Sequence, residues 1–311
     1  MREEILVNWD IGDVISVKEI DSFSNSVRLI TSRDNKKYVL KEQQRVEGIK
    51  KEAALLSYLR EKIPIAAPVK TKNNEYYFEG ENKYYVLYPF LEGASFKDHY
   101  GENYREEARL LGKAIGDLHS ALKKINYEGC KEFNLVKDVT EWAKDIIEKN
   151  KELLDYNFVE EIIKSFKEEF ILIYDLLPKQ IIHRDLHPGN ILFKDDRLSG
   201  IVDFELAVTG VRIFDPCYCS TSILVSGFND EAKRGKWINI LHIILKAYNG
   251  RNKLTREELS GLTYVLYSIQ IIFMAFSCHT GNYEAAKCNE RVLKWLVKEE
   301  EEIEKTISRI A

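Results

Sequence analysis

From Ile181 the chain reads IIHRDLHPGNILF and then, beyond an Asp195-Asp196 turn, LSGIVDFELAV. Pro188 and Gly189 forbid a continuous helix here, because proline lacks the N–H a helix needs and glycine is a poor helix former. A loop therefore presents Asp185 and Asn190, five residues apart, between the apolar runs Ile181-Ile182 and Ile191-Leu192-Phe193. Those runs can anchor the loop in a core. Asp203 comes eighteen residues after Asp185, at the end of a further apolar strand. Any fold for this chain must accommodate a β-rich insert carrying three polar residues at fixed spacing.

The rest of the chain divides around Leu91-Glu92-Gly93. Before it, VISVKEI, SVRLITS and KKYVLKE are short runs with β-branched residues and partial alternation, the last two joined through Asp34-Asn35. Val46 to Lys62 turns helical, with Ile49, Ala53, Leu56 and Leu59 at three- and four-residue spacing, and Pro64 and Pro68 stop it. EYYFEGENKYYVLYPF then gives two aromatic-rich strands around Gly80-Glu81-Asn82. After Gly93, Ala108, Leu111, Ile115, Leu118 and Leu122 trace one helix face. The segments 136–150 and 157–177 read as helices, and three more are expected from about 229 onward. The expected domains are thus 1–92, β-rich with one helix, and 93–311, mostly helical: an α+β chain of two lobes.

Composition narrows the function classes. The 311 residues are 45% hydrophobic, ample for a large core, and the formal net charge of −4 argues against a nucleic-acid binder, which needs a basic face. Five cysteines form no even framework and no zinc-ligand spacing, so free thiols in a reducing compartment are expected. The N-terminus MREEILVNWDIGDVI has no apolar signal region, and IQIIFMAF is too short to span a bilayer, so a cytoplasmic location without membrane insertion is expected. The late acidic run VKEEEEIEKTISR reads as a solvated helix face.

Asp185, Asn190 and Asp203 form the set that phosphoryl transfer requires. One carboxylate accepts or orients the proton of the attacking hydroxyl, while a carboxylate and an amide suit Mg²⁺ on a triphosphate, an ion that takes few protein ligands. Asp185 is accordingly the expected catalytic base, with Asn190 and Asp203 as the metal ligands. Lys41 ends a strand, where a buried lysine is awkward unless it meets phosphate oxygens. Glu52 lies eleven residues later on the following helix. Lys50 and Lys51 have no predictable aim at phosphate. His183 reads as packing beside the loop, and His119 as a satisfied structural histidine on the border of its helix face.

HRDLHPGN with a downstream DFE resembles the aminoglycoside phosphotransferase and choline kinase-like family of the protein-kinase-like superfamily. The resemblance implies a bilobal protein-kinase-like fold and transfer of the γ-phosphate of ATP, with Mg²⁺, to a hydroxyl of a small molecule. Candidate acceptors are an aminoglycoside or other sugar, choline or ethanolamine, or homoserine. It also implies a Lys41–Glu52 pair, phosphate contacts from Ser24 and Asn25, and adenine against the linker Tyr88-Pro89-Phe90-Leu91-Glu92. His187, beside the base, could touch phosphate or substrate, and Asp215 resembles the aspartate that braces the catalytic loop from below. The sequence departs from protein kinases in three ways: His187 stands where they carry a lysine, Asp203-Phe204-Glu205 replaces Asp-Phe-Gly, and only eleven residues separate Asp203 from Phe214-Asp215. The last leaves no room for a peptide-binding loop. The segment Asp21 to Ser26 has no glycine, unlike the glycine-rich phosphate loop. That absence favours an alternative, a weakly active or non-catalytic nucleotide-binding homologue such as a spore-coat-like structural protein.

Overall fold

The structure, a computed structural model, describes residues 3–20, 26–125 and 127–310. The chain forms two compact units, one of Met1–Ala94 with Tyr127–Gly129 and Leu192–Ala207, the other of Ser95–Asn126, Cys130–Ile191 and Val208–Ala311. The division drawn at Gly93 from composition leaves the segment 192–207 with the helices, whereas the contacts put it with the first unit.

In the first unit, β1 (Val14–Ile20), β2 (Val27–Ser32), β3 (Lys37–Gln43), β4 (Phe78–Gly80) and β5 (Lys83–Pro89) form an antiparallel sheet in the order β1-β2-β3-β5-β4. β1, β2, β3 and β5 fall within a residue of the runs that predicted them, whereas β4 keeps only Phe78–Gly80 of the run that begins at Glu75. Turn residues accept left-handed backbone where the sequence put Asn35, Glu81 and Asn82, with φ of 61°, 53° and 59°. Period-two alternation then sorts the side chains. Ile30, Leu40, Tyr85 and Leu87 point to one face and pack with Ile5, Leu6 and Trp9. On that same face Arg28 is buried, and it is compensated by Glu42 at 2.8 Å, which also takes Lys83 at 2.6 Å. Val39, Lys41, Val86 and Tyr88 therefore share the opposite face, with Val39 opposite Tyr88 and Lys41 opposite Val86 in the β3–β5 register. The helix Val46–Leu59 buries Ile49, Glu52, Ala53, Leu55, Leu56 and Leu59. The hairpin of β7 (Ile191–Lys194) and β8 (Arg197–Ile201) joins this unit through reciprocal backbone bonds between Ala94 and Phe193, 3.0 and 2.9 Å, and from Ile201 N–H to Pro64 O, 3.2 Å.

The second unit is helical apart from β6 (Lys179–Ile182) paired antiparallel with β9 (Val208–Val211). All five apolar positions expected on one face of the helix Tyr104–Leu122 are buried. That helix packs against Glu231–Asn249 closely enough that a Cβ on Gly112 would sit 2.2 Å from the Ile244 carbonyl oxygen. Two regions read as plain helix contain wide π turns, Asp138–Ala143 and Phe166–Phe170. The C-terminal part holds four helices rather than three: Glu231–Asn249, Arg256–His279, Tyr283–Lys298 and Glu300–Ser308. Glu299 interrupts the last apolar pattern and caps both flanking helices.

Arg256–His279 corrects a second reading. At 24 residues it is long and apolar enough to cross a membrane, because IQIIFMAF is only part of it; 67% of its most apolar stretch is buried inside this unit, which accounts for its composition. Its start is fixed by a capping box between Thr255 and Glu258, whose carboxylate also takes Nε and Nη2 of buried Arg212 at 2.8 and 2.7 Å.

Two glycines in the second unit should respond to alanine with opposite signs. Gly112→Ala overpacks a backbone contact and should cost about 1–3 kcal/mol. Gly235→Ala meets nothing within 4 Å at an exposed helix position and should gain up to about 1 kcal/mol in helix propensity. Urea melts of both variants check the pair; equal effects would contradict the packing argument.

Candidate active site

In the first unit the polar residues share the lining of an apolar slot. Val39 and Ala66 line it with Leu192 and Ile201, and Tyr88 to Leu91 form its edge. Lys41, Glu52 and Asp203 are the charged residues in its lining. Tyr88 and Phe90, expected beside adenine, are both in the lining. The Phe90 N–H is already committed to Lys37 O at 3.0 Å, so this amide is spoken for within the sheet. Ser24 and Asn25, expected to touch phosphate, lie outside the described residues.

The ion pair that Lys41 makes is with Asp203, Nζ to Oδ1 at 2.9 Å, rather than with Glu52. Glu52 is held instead by the Tyr88 hydroxyl at 3.0 Å and by Gln43 Nε2 at 3.3 Å. The reason is geometric: Tyr88 shares the sheet face with Lys41, and its hydroxyl reaches the helix-borne carboxylate first. Burial pushes the Glu52 carboxyl above its ordinary pKa, with the nearby Lys41 charge opposing that shift. Asp203 has left-handed backbone, φ 73°, a conformation an L-residue holds only when its surroundings impose it. Lys51 supplies part of that constraint, its Nζ donating to the carbonyls of Glu205 and Ala207, both at 2.8 Å. Helix position gave no aim for Lys51; the signal, visible only in three dimensions, is the turn after Asp203 that leaves those carbonyls to be satisfied.

In the second unit, the loop bearing Asp185 is tied down by Asp215. This carboxylate is fully buried and accepts from the backbone N–H of His183 at 2.8 Å, the N–H of Arg184 at 2.9 Å, and His119 Nε2 at 2.9 Å. A carboxylate can only accept, so His119 carries its proton on Nε2, and Nδ1 faces the Tyr248 hydroxyl at 2.9 Å. His119 and Asp215 are thus structural, the one satisfied and the other a brace. Arg184 is left-handed as well, φ 68°, with its guanidinium 4.4 Å over the Phe133 ring and 3.8 Å from Asp138. His183 is buried, and its Nδ1 takes the Asp185 N–H at 3.3 Å.

Asp185 itself is half-buried. Asn190 Nδ2 donates to the Asp185 carbonyl at 2.8 Å, which commits the amide nitrogen and leaves the amide oxygen to act as an acceptor. The Nδ1 of His187 accepts the Gly189 N–H at 3.1 Å and caps the turn Pro188–Asn190, so one ring nitrogen serves the loop. Tyr218, which no motif marked, donates its hydroxyl to Asp185 Oδ1 at 2.9 Å. It lies three residues after Asp215 on the helix Phe214–Gly227, a spacing that puts both on one face.

The donor types suit a divalent cation on phosphates. Among the described residues no three His, Cys, Asp or Glu side chains form a cage, and Mg²⁺ bound to a nucleotide needs only one or two protein oxygens besides phosphate and water. The Asp203 carboxylate and the Asn190 amide oxygen are of the right hardness.

Residues 16–252, well over half of the chain, match the family described as phosphotransferase enzyme family. The chain belongs to that family. Similar curated proteins include the homoserine kinase of Zymomonas mobilis, 25% identical over 85% of this chain and 81% of that protein, and the homoserine kinase of Methylobacillus glycogenes, 23% identical over 82% and 77%. Among solved structures, an aminoglycoside phosphotransferase from Alicyclobacillus acidocaldarius aligns over 98% of this chain and 97% of its own, with a TM-score of 0.67 at 13% identity. The amicoumacin kinase hAmiN, solved with AMP-PNP, Ca²⁺ and Ami, aligns over 98% and 96%, with a TM-score of 0.67 at 16% identity. The fold is therefore the protein-kinase-like one, and the phosphotransferase is a small-molecule kinase with an alcohol group as acceptor.

Two stability experiments follow from the buried carboxylates. Asp215→Ala leaves two backbone donors and His119 without an acceptor, and should cost the phosphotransferase about 3 kcal/mol or more in urea unfolding. Glu52→Gln should act the other way. The Glu52 pKa is raised on folding, so the native state loses stability as pH climbs through that raised value, and glutamine has no charge to bury. The melting temperature of Glu52→Gln should match wild type near about pH 4 and exceed it increasingly towards pH 8; a gap that shrinks with rising pH would contradict the assignment.

Proposed function

We propose that this phosphotransferase is an ATP-dependent homoserine kinase, moving the γ-phosphate of MgATP to the side-chain hydroxyl of homoserine. The observation that carries the choice of acceptor is the run of homoserine kinases among the similar curated proteins, several of them aligned over about four fifths of both chains. The apolar slot of the first unit suits a planar base, and the amicoumacin kinase of the same fold was solved with an ATP analogue and a divalent cation.

In this reading Asp185 accepts the proton of the attacking hydroxyl as the new oxygen–phosphorus bond forms. The bond from the γ-phosphorus to the bridging oxygen breaks, and ADP leaves with the electron pair. Lys41, oriented by Asp203, neutralises phosphate charge, with Glu52 beside it in the lining of the same slot. Asp203 and Asn190 would hold Mg²⁺, which would offset the charge of the triphosphate. Asp215 and His119 keep the Asp185 loop in place without touching substrate. Tyr88 and Phe90 bound the base, and Ser24, Asn25 and His187 serve the phosphates.

The test is ADP release from MgATP with L-homoserine, choline, ethanolamine and kanamycin as acceptors. L-homoserine should give a kcat/KM at least about a hundredfold above the others, because a site built for one polar acceptor rejects those that leave its groups unpaired. Asp185→Asn should lower kcat by about a hundredfold or more, the usual worth of a positioned base. Preference for another acceptor would replace homoserine, and a variant within a few-fold of wild type would remove Asp185 from the role of base.

A further inference from the structure

Aspartate rotates freely about its last bond, so a lone Asp185 would present either oxygen to an acceptor. The structure breaks that equivalence. Oδ1 receives the Tyr218 hydroxyl at 2.9 Å, while among the described residues Oδ2 has only a long contact to Asn190 Nδ2 at 3.4 Å, whose better bond is to the Asp185 carbonyl. Because an ionised carboxylate only accepts, the Tyr218 hydroxyl must donate, and Oδ1 is largely spent on it.

Tyr218 is itself immobilised. Its ring stacks on Phe214, 5.9 Å away and 15° from parallel, and on Phe273, 5.4 Å away and 8° from parallel. The residue is 8% exposed, so its hydroxyl has little water to turn to. Burial beside Asp185 also pushes the phenol pKa well up, which keeps the proton on the donor throughout the working pH range. Asp215, one turn earlier on the same helix, holds the backbone of His183 and Arg184. The first two turns of Phe214–Gly227 thus grip both the backbone of the loop and the carboxylate it carries.

We infer that Tyr218 is a positioning residue, clamped by Phe214 and Phe273, which holds Asp185 Oδ1 so that Oδ2 is the oxygen meeting the acceptor hydroxyl. Phe273 belongs to the segment 273–283, which is the end of the helix Arg256–His279 and the turn into the helix Tyr283–Lys298. Its later residues, Thr280 to Asn282, form a capped helix-to-helix turn, with Gly281 at φ 76° and Asn282 capping the next helix. Phe273 is the residue of that segment tied to Asp185, and the tie runs through Tyr218. This inference rests on Asp185 being the base.

Tyr218→Phe keeps the ring stack and removes only the donor. ADP release is followed with L-homoserine and, as a second readout independent of the acceptor's identity, through slow ATP hydrolysis with water as acceptor. The expected result is a kcat lower by about tenfold or more in both assays, since misorientation of a catalytic group by an ångström costs one to two decades. KM for ATP and for L-homoserine should stay within twofold, and the melting temperature nearly fixed. On an Asp185→Asn background, Tyr218→Phe should have no further effect, because the hydroxyl acts through the carboxylate. Phe273→Leu, which keeps the hydroxyl but loosens the clamp, should give a smaller loss that Tyr218→Phe abolishes. A Tyr218→Phe kcat within twofold of wild type, while Asp185→Asn is strongly impaired, overturns the inference and leaves the base assignment standing. A rise in KM with unchanged kcat overturns it as well. Full activity of Asp185→Asn would instead remove the base assignment and this inference with it.

Discussion

One buried carboxylate organises the helical unit. Asp215 is removed from water entirely, and three donors satisfy it: two consecutive backbone N–H groups and an imidazole. Burying a carboxylate is costly unless every lone pair is used, so the arrangement is close to all-or-none. That stringency makes the Asp185 loop rigid. The loop backbone includes a residue in a conformation it would not otherwise keep, and the energy that holds it there comes from a group that plays no part in the chemistry.

The sheet unit works by a plainer rule with a sharper consequence. Alternation along β3 and β5 sends Leu40 and Leu87 into the core, and the intervening Lys41 and Tyr88 must then face the slot. A register slip of one residue would exchange the two sets, so core packing also specifies where the lysine goes. Glu52 shows the cost of placing function in such a site. Its carboxyl is buried with neutral hydrogen-bond donors and no direct cation, a state less stable than a neutral side chain would be. Sites that must meet a polyanion are expected to carry this kind of local conflict between stability and function.

Much of this was legible in the sequence, and the reasons it was are specific. Strand runs such as VISVKEI and the helix from Val46 were readable because alternation and three- to four-residue spacing report burial directly. The HRDLHPGN loop was readable because proline and glycine exclude helix. What escaped detection depends on distances across the fold. Tyr218 sits in an apolar-looking helix, and nothing in FDPCYCS reveals that its hydroxyl meets a carboxylate thirty-three positions earlier. The choice of Asp203 over Glu52 as partner for Lys41 turns on which neighbour Tyr88 captures. The wide turns at Asp138–Ala143 and Phe166–Phe170 defeat any reading based on a 3.6-residue period, since each adds a residue to the turn without changing composition. The helix break at Glu299 lies inside a run of glutamates whose pattern is continuous.

Asp203 and Arg184 are both non-glycine residues with left-handed backbone, and each unit holds its own by the same device with opposite sign. In the helical unit the loop at Arg184 leaves N–H groups unpaired, and a carboxylate from a helix, Asp215, collects them. In the sheet unit the turn after Asp203 leaves the carbonyls of Glu205 and Ala207 unpaired, and an ammonium from a helix, Lys51, collects those. The sign of the bracing charge is thus set by which backbone groups the strained turn exposes. An exchange of sign would fail in either place, because a carboxylate repels carbonyl oxygens and an ammonium has nothing to accept from an N–H. Asp215, which its motif marks, and Lys51, which reads in the sequence as an ordinary helix charge, are thus what allow a carboxylate-bearing loop to keep a conformation that its own dihedral preferences oppose.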